Sequence, residues 1–202
     1  MGALVTDRDD PFQGALRAAQ GGDESALTKL YRSLHPRIVR YVRARGATDA
    51  EDVAHEVWLG VAAGLGRFRG GEQDFRAWVF TIARRRVADA VRRATRRPTV
   101  PVSLERLGAL GEVGNVEEEA MRSLETQEAL ERIARLPRAQ AEVLLLRLLG
   151  GLDVEGVSRI LRKRPGAVRV LQHRGLATLA AQEPQDELQN RGFVTFERRD
   201  RR

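Results

Sequence analysis

LDVEGVSRILRKRPGAVRVLQHRGLATL, residues 152–179, holds two helix starts separated by a short basic turn. Asp153 is a good N-cap ahead of Val154, Val157, Ile160 and Leu161, which recur at helical spacing. Pro165, pre-set for a first turn, opens a second helix with Val168, Leu171 and Leu179 on its inner side. Only Arg162, Lys163 and Arg164 lie between, so the pair reads as a helix-turn-helix. In that geometry the second helix enters the major groove and its early outward residues meet base edges. Here those residues are Arg169, Val170, Gln172, His173 and Arg174. Arginine forks to guanine, glutamine pairs with adenine, and valine touches a thymine methyl. The three cations of the turn would sit against phosphate. A plain helical hairpin with a solvated basic face fits the same spacing. One detail favours DNA: Arg164 holds the N-cap position, where Ser, Thr or Asp is preferred, and a phosphate would supply the missing acceptor.

Outward from this stretch the whole chain reads as helix. Ala, Leu, Arg and Glu dominate, and the strand-type alternation of β-branched and aromatic residues is missing. Residues 138–149 form a strongly apolar helix closed by Gly150 and Gly151, preceded by a helical stripe of Met121, Leu124, Leu130, Ile133 and Leu136 that Pro137 breaks. Toward the N-terminus, Pro11 starts a helix bearing Phe12, Leu16 and Ala19. Asp23 caps the next, with Leu27, Leu30, Tyr31 and Leu34. Pro36 is expected to open a separate helix with Ile38, Tyr41 and Val42. Thr48 and Glu51 suit a capping box before Val53, Val57, Val61 and Leu65.

Charge divides the chain. Residues 1–97 carry net +6, residues 98–129 net −5, residues 130–182 net +6, and residues 183–202 net 0. Two basic blocks around an acidic, glycine-containing segment predict two small all-α domains joined by a flexible linker, the second carrying the helix-turn-helix. The expected bounds are a disordered N-terminus over 1–11, a first domain over 12–97, a linker over 98–125, a second domain over 126–182, and a disordered tail over 183–202. That tail is polar except for FVTF at 193–196. All but two of the 35 basic residues are arginine, whose planar fork matches phosphates and guanine edges. With no cysteine and three scattered histidines, no metal, cofactor or thiol chemistry is expected. No stretch approaches a membrane span, and no secretory leader is visible, so a cytoplasmic protein without membrane insertion is expected.

The first block carries TIARRRVADAVRRATRRP, residues 81–98, with seven arginines and one carboxylate, Asp89. Phe80, Ala83, Val87, Ala90, Val91 and Ala94 share one side of this helix, and Arg85, Arg92 and Arg96 the other. Asp89 is spaced to pair with Arg85 or Arg93. A membrane-surface helix would present Leu, Phe or Trp rather than Ala and Val. So dense a positive ridge is easier to rationalise if a polyanion relieves its self-repulsion. Phe68, Phe75, Trp78 and Phe80 cluster beside it. Trp78 and Phe80 suit the core, while Phe68 and Phe75 suit either core packing or stacking on unpaired bases. On the preceding helix Asp52, His55 and Glu56 share an outward acidic side, which would bind protein rather than DNA. No nucleotide loop, nucleophile elbow or carboxylate cluster points to an enzyme.

DAEDVAHEVWLGVAAGLGRFRG with FRAWVFTIARRRVADAVRRATRRP resembles region 2 of a bacterial RNA polymerase sigma factor. LPRAQAEVLLLRLLGGLDVEGVSRILRKRPGAVRVLQHRGLATL resembles region 4. With no large region between them, the chain resembles the extracytoplasmic-function (ECF) group. The resemblance implies a promoter-specificity subunit that is not an enzyme. Its implied partners are the polymerase core (β′ clamp helices and β subunit), promoter DNA and an anti-sigma factor. It assigns Asp52, His55 and Glu56 to the clamp helices, with His55 in place of the usual Gln. It assigns Phe68, Arg69, Gln73, Arg84, Arg85, Arg92 and Arg93 to the melted −10 strand, with Arg85 replacing a common Asn. For the −35 duplex it points to Arg147, Arg169, Val170, His173 and Arg174, beside Gln172 from the groove geometry and Arg164, which stands where Ser is common. The rival reading is a stand-alone helix-turn-helix transcription regulator.

Overall fold

A computed structural model describes residues 11–96 and 126–182. Among these residues there are eight helices and no strand. The first unit holds α1 (Pro11–Gln20), α2 (Glu24–Ala44), α3 (Ala50–Leu65) and α4 (Glu72–Arg96). The second holds α5 (126–134), α6 (Arg138–Leu148), α7 (Val154–Leu161) and α8 (Pro165–Ala181). In the first, α1 packs on α2, α2 on α3 and α3 on α4; in the second, α6 and α7 both pack on α8. The two units touch, with α7 against α4 and α6 against α2. The expected N-terminal segment before Pro11, the linker, the tail with FVTF, and the residues Met121 and Leu124 lie outside the described residues.

Local chemistry sets the boundaries. Asp23 caps α2 by accepting the Ala26 N–H at 3.0 Å, and Asp153 caps α7 by accepting the Gly156 N–H at 2.7 Å. The Thr48–Glu51 capping box does not form. Asp49 is the N-cap of α3, without a side-chain cap, and the Thr48 hydroxyl turns to the Asp49 carboxylate at 3.4 Å. Glu51 instead reaches His35 on α2 at 3.3 Å, and this cross-helix pair takes the side chain that the box required.

Pro36 does not start a new helix; it lies inside the continuous α2. Its position is exposed, as is Arg32, whose carbonyl loses its partner, so water can take that hydrogen bond. Leu34, Ile38, Val39, Tyr41 and Val42 are buried on both sides of the proline and hold the two halves in line. The arginine helix extends well ahead of residue 81, because α4 begins at Glu72. Gly71 N–H bonds the Asp74 carboxylate at 3.3 Å, and this contact anchors the early start.

The first core is sealed where α3 meets α4. A Cβ on Gly64 would lie 2.6 Å from the Trp78 ring, and one on Gly60 would lie 3.1 Å from Ile82. These glycines, one turn apart, let the two backbones approach. Phe75, Val79, Phe80 and Ala83 then fill the interior. The second core is aliphatic: Leu130, Ile133, Leu136, Val143, Leu145, Leu146, Leu152, Val157, Ile160 and Val168 are all buried.

Gly64→Ala should destabilise the first unit by about 1–3 kcal/mol, because the ring of Trp78 must move. Gly66→Ala, at a right-handed backbone position with open space around it, should be neutral or stabilise by up to about 1 kcal/mol. Urea melts of the two variants should therefore shift in opposite directions or differ by the full overpacking penalty.

Candidate nucleic-acid interface

The arginine helix owes its orientation to the Gly60–Gly64 contact. With Ala83 and Val87 turned inward and buried, Arg84, Arg85, Arg92 and Arg93 are exposed. The apolar sector is shorter than expected: Val91 is exposed and Ala94 lies outside the core, so burial on this helix ends near Val87. Asp89 pairs with Arg92, one turn on, rather than with Arg85 or Arg93. Arg85 has no ion-pair partner among the described residues and is free to meet a ligand.

The other two arginines are held by acids from elsewhere. Arg93 meets the Glu56 carboxylate at 3.4 Å, and Arg86 meets its second oxygen at 3.7 Å. Glu56 on α3 therefore joins the acidic face to the arginine helix, two groups that the sequence treats as separate. Asp52 and His55 remain exposed beside it, and Leu59, on the same side of α3, is 61% exposed. Arg84 Nε donates to Glu142 of α6 at 2.7 Å.

The aromatic cluster is mostly core. Phe75 and Phe80 are fully buried, which removes Phe75 as a stacking platform. Phe68 is half-buried, stacked on Trp78 at 5.1 Å and edge-on to Phe75 at 5.4 Å. Its loop is pinned: Gln20 donates to the carbonyls of Leu65 and Phe68, both at 2.9 Å, and Arg69 donates to Phe68 at 2.7 Å and Gly66 at 3.1 Å. Gln73 lies on the first turn of α4 rather than in the loop, and its amide donates to the Gly151 carbonyl of the second unit at 3.2 Å.

In the second unit α7 ends on Arg162 in the left-handed region, at φ 53°. The chain then turns through Lys163 and extends at Arg164, and Pro165 starts α8. Arg164 makes no side-chain cap, so the first N–H groups of α8 stay open to an anion. Val168 is buried and anchors the helix, which leaves Arg169, Val170, His173 and Arg174 exposed on one side and Gln172 half-buried. Arg169 also reaches Glu155 at 3.5 Å, a weak pair between two exposed side chains. Arg147 plays a different local part: its guanidinium donates to the Leu152 carbonyl and ties α6 to the start of the helix-turn-helix.

Sequence reading missed Arg45 and Glu142. Arg45, just past α2, donates to the second oxygen of Glu142 at 3.3 Å. The two oxygens of this buried carboxylate thus take guanidiniums from α4 and from the residue that caps the end of α2, both in the other unit. The Tyr41 hydroxyl beneath them has its pKa raised, first by burial and then by the Glu142 charge, with Arg45 and Arg84 opposing. The only available signal was a lone acid beside the apolar run Val143–Leu146 of α6.

Among the described residues no group of three His, Cys, Asp or Glu side chains could hold a metal ion, and no helix is long and apolar enough to cross a membrane. The family models Sigma-70 region 2 and Sigma-70, region 4 match residues 30–97 and 126–179. The ECF RNA polymerase sigma factor ShbA of Streptomyces griseus is 37% identical over 187 residues, spanning 88% of this chain and 98% of its own length. BldN of Streptomyces coelicolor, another ECF RNA polymerase sigma factor, is 35% identical over 170 residues, covering 83% of this chain but 64% of its own length. A solved structure of CnrH in complex with the cytosolic domain of CnrY is similar in fold, with TM-score 0.59 at 21% identity, covering 91% of this chain and 100% of that one.

Arg147→Met should lower the stability of the helix-turn-helix unit by about 1 kcal/mol, because the Leu152 carbonyl loses its charged donor. A thermal melt without DNA reads this loss. An unchanged melt would leave Arg147 free for a purely DNA-directed role.

Proposed function

The chain belongs to the sigma-70 family of RNA polymerase sigma factors, in the ECF group, and from that premise we propose how its surfaces divide the work of initiation. As a sigma factor it directs core polymerase to promoters, recognising a −35 duplex and a melted −10 strand. The carrying observation is that one chain holds two matched units, each with its own basic helix face. A stand-alone regulator would use the helix-turn-helix and leave the first unit without a purpose.

Asp52, His55 and Glu56 form the docking side for the β′ clamp helices, with Leu59 adding an apolar contact among them. An exposed leucine ringed by polar groups suits a protein partner. Phe68, Arg69, Gln73, Arg84, Arg85, Arg92 and Arg93 hold the melted strand. Arginines on one ridge follow its phosphates, and the edge of Phe68 meets a base. Arg85, exposed and without a partner, sits where it can read a base or a phosphate. In the second unit Arg169, Val170, Gln172, His173 and Arg174 read the −35 duplex, and the uncapped start of α8 with Arg164 grips phosphate. Arg147 supports that helix from behind. We assign the two surfaces to domains over 12–97 and 126–182.

The chain acts without catalysis of its own, in the cytoplasm where polymerase works. An anti-sigma protein is the expected antagonist, as the resemblance to the ECF group implies.

Transcription with core polymerase on genomic templates is the direct test: specific, chain-dependent start sites are expected, and none on any template would refute the reading. Arg169→Ala should weaken binding to the −35 duplex by about 1–3 kcal/mol and relax preference at one base pair, read by competition with altered duplexes. Glu56→Arg should abolish core binding, measured by co-elution with core enzyme, while the −35 affinity of the chain stays intact.

A further inference from the structure

Glu142 is the only acid in α6 and the only buried charged residue among those described. A desolvated carboxylate persists only when its oxygens are matched. Both are: Oε1 takes Nε of Arg84 at 2.7 Å, and Oε2 takes Nη2 of Arg45 at 3.3 Å. The two guanidiniums come from the first unit and the carboxylate from the second. Tyr41, fully buried nearby, has its pKa raised by burial and then by the Glu142 charge, with Arg45 and Arg84 opposing. Without Glu142 the two arginines would face one another with no anion between them. Two forked cations converging on one small anion is also the chemistry that holds a phosphate.

The surrounding contacts close the same side. Gln73 donates to Gly151 at 3.2 Å, and Asp74 pairs with Arg159 at 2.9 Å, each bond running between the units. The outward face of α8 is left exposed. The chain in this arrangement covers part of its strand-binding side while presenting its duplex-reading helix.

We infer that Arg45 and Arg84 form a phosphate cradle for the promoter's single strand, and that Glu142 occupies it in cis until the two units separate. The inference rests on the promoter-binding role proposed above and adds to it a site, a ligand class and a mask. Opening exchanges one oxyanion for another at the same two guanidiniums. Arg45 becomes a strand-binding residue although it lies outside the arginine helix.

The test uses the full chain without polymerase and a labelled, mixed-sequence single-stranded oligodeoxynucleotide, with anisotropy measured across a salt series. Glu142→Gln should tighten binding by about fivefold or more. It should also steepen the log–log salt dependence by about 0.7, the value for one added phosphate on a single strand. Adding Arg45→Gln should remove both gains. No tightening, or a gain that survives Arg45→Gln, overturns the cradle. Binding of polyglutamate in place of the oligonucleotide would make it a protein-docking site and equally overturn the assignment.

A second protein guards against poor folding of the first. Asp74→Cys with Arg159→Cys, in a chain otherwise lacking cysteine, can be joined by a short bis-maleimide that keeps the units together. The linked form should bind the single strand more weakly than the same protein unlinked, and the −35 duplex equally well. Equal single-strand binding by both forms counts against the mask. A Glu142→Gln chain that still initiates with core polymerase but gains no strand affinity sinks the cradle alone, whereas absence of initiation by the unaltered chain sinks the sigma reading.

Discussion

The close approach of α3 and α4 is the constraint from which the first unit's surfaces follow. No Cβ fits at Gly64 against Trp78, so the two helices have a single relative rotation. That rotation sends Phe75, Val79, Phe80 and Ala83 inward and the arginines of α4 outward. It also sets Glu56 of α3 beside Arg86 and Arg93, so the acidic face and the basic ridge meet at one carboxylate. The acidic face and the arginine ridge are therefore neighbours by packing and not by sequence.

The arginine surplus shapes the rest. A helix with this much positive charge repels itself, and the structure places acids from other elements along it: Glu56 from α3 and Glu142 from α6, with Asp89 its own. The exposed pairs are each worth at most about 1 kcal/mol. A polyanion with many phosphates can displace such contacts one by one. The Glu142 site differs in being desolvated and in being made by residues of both units.

Much of the fold was legible in the sequence. Asp153, Pro165 and the spacing of Val157, Ile160 and Val168 define the helix-turn-helix through local backbone chemistry, and the structure keeps each of them. The outward residues of α8 follow from that period alone. The failures share another cause. Pro36 looked like a boundary because local preference says so, yet buried side chains on both sides override it. Thr48 and Glu51 matched a capping box, but His35 from another helix drew Glu51 away. Asp89 chose Arg92 over its alternatives, a rotamer matter invisible to spacing. Glu142 was hidden most completely: its partners lie 97 and 58 positions away, and only the docking of two units brings them together.

The aromatic side chains are divided unevenly between the two units. Both tryptophans and both tyrosines, Trp58, Trp78, Tyr31 and Tyr41, lie in the first, whereas the core of the second is aliphatic. Tryptophan and tyrosine absorption and fluorescence therefore originate in the first unit alone. The helix-turn-helix half is optically silent except through its backbone. Tryptophan emission and far-ultraviolet dichroism thus watch different parts of the same molecule, and a difference between their transitions would reveal the two halves melting independently.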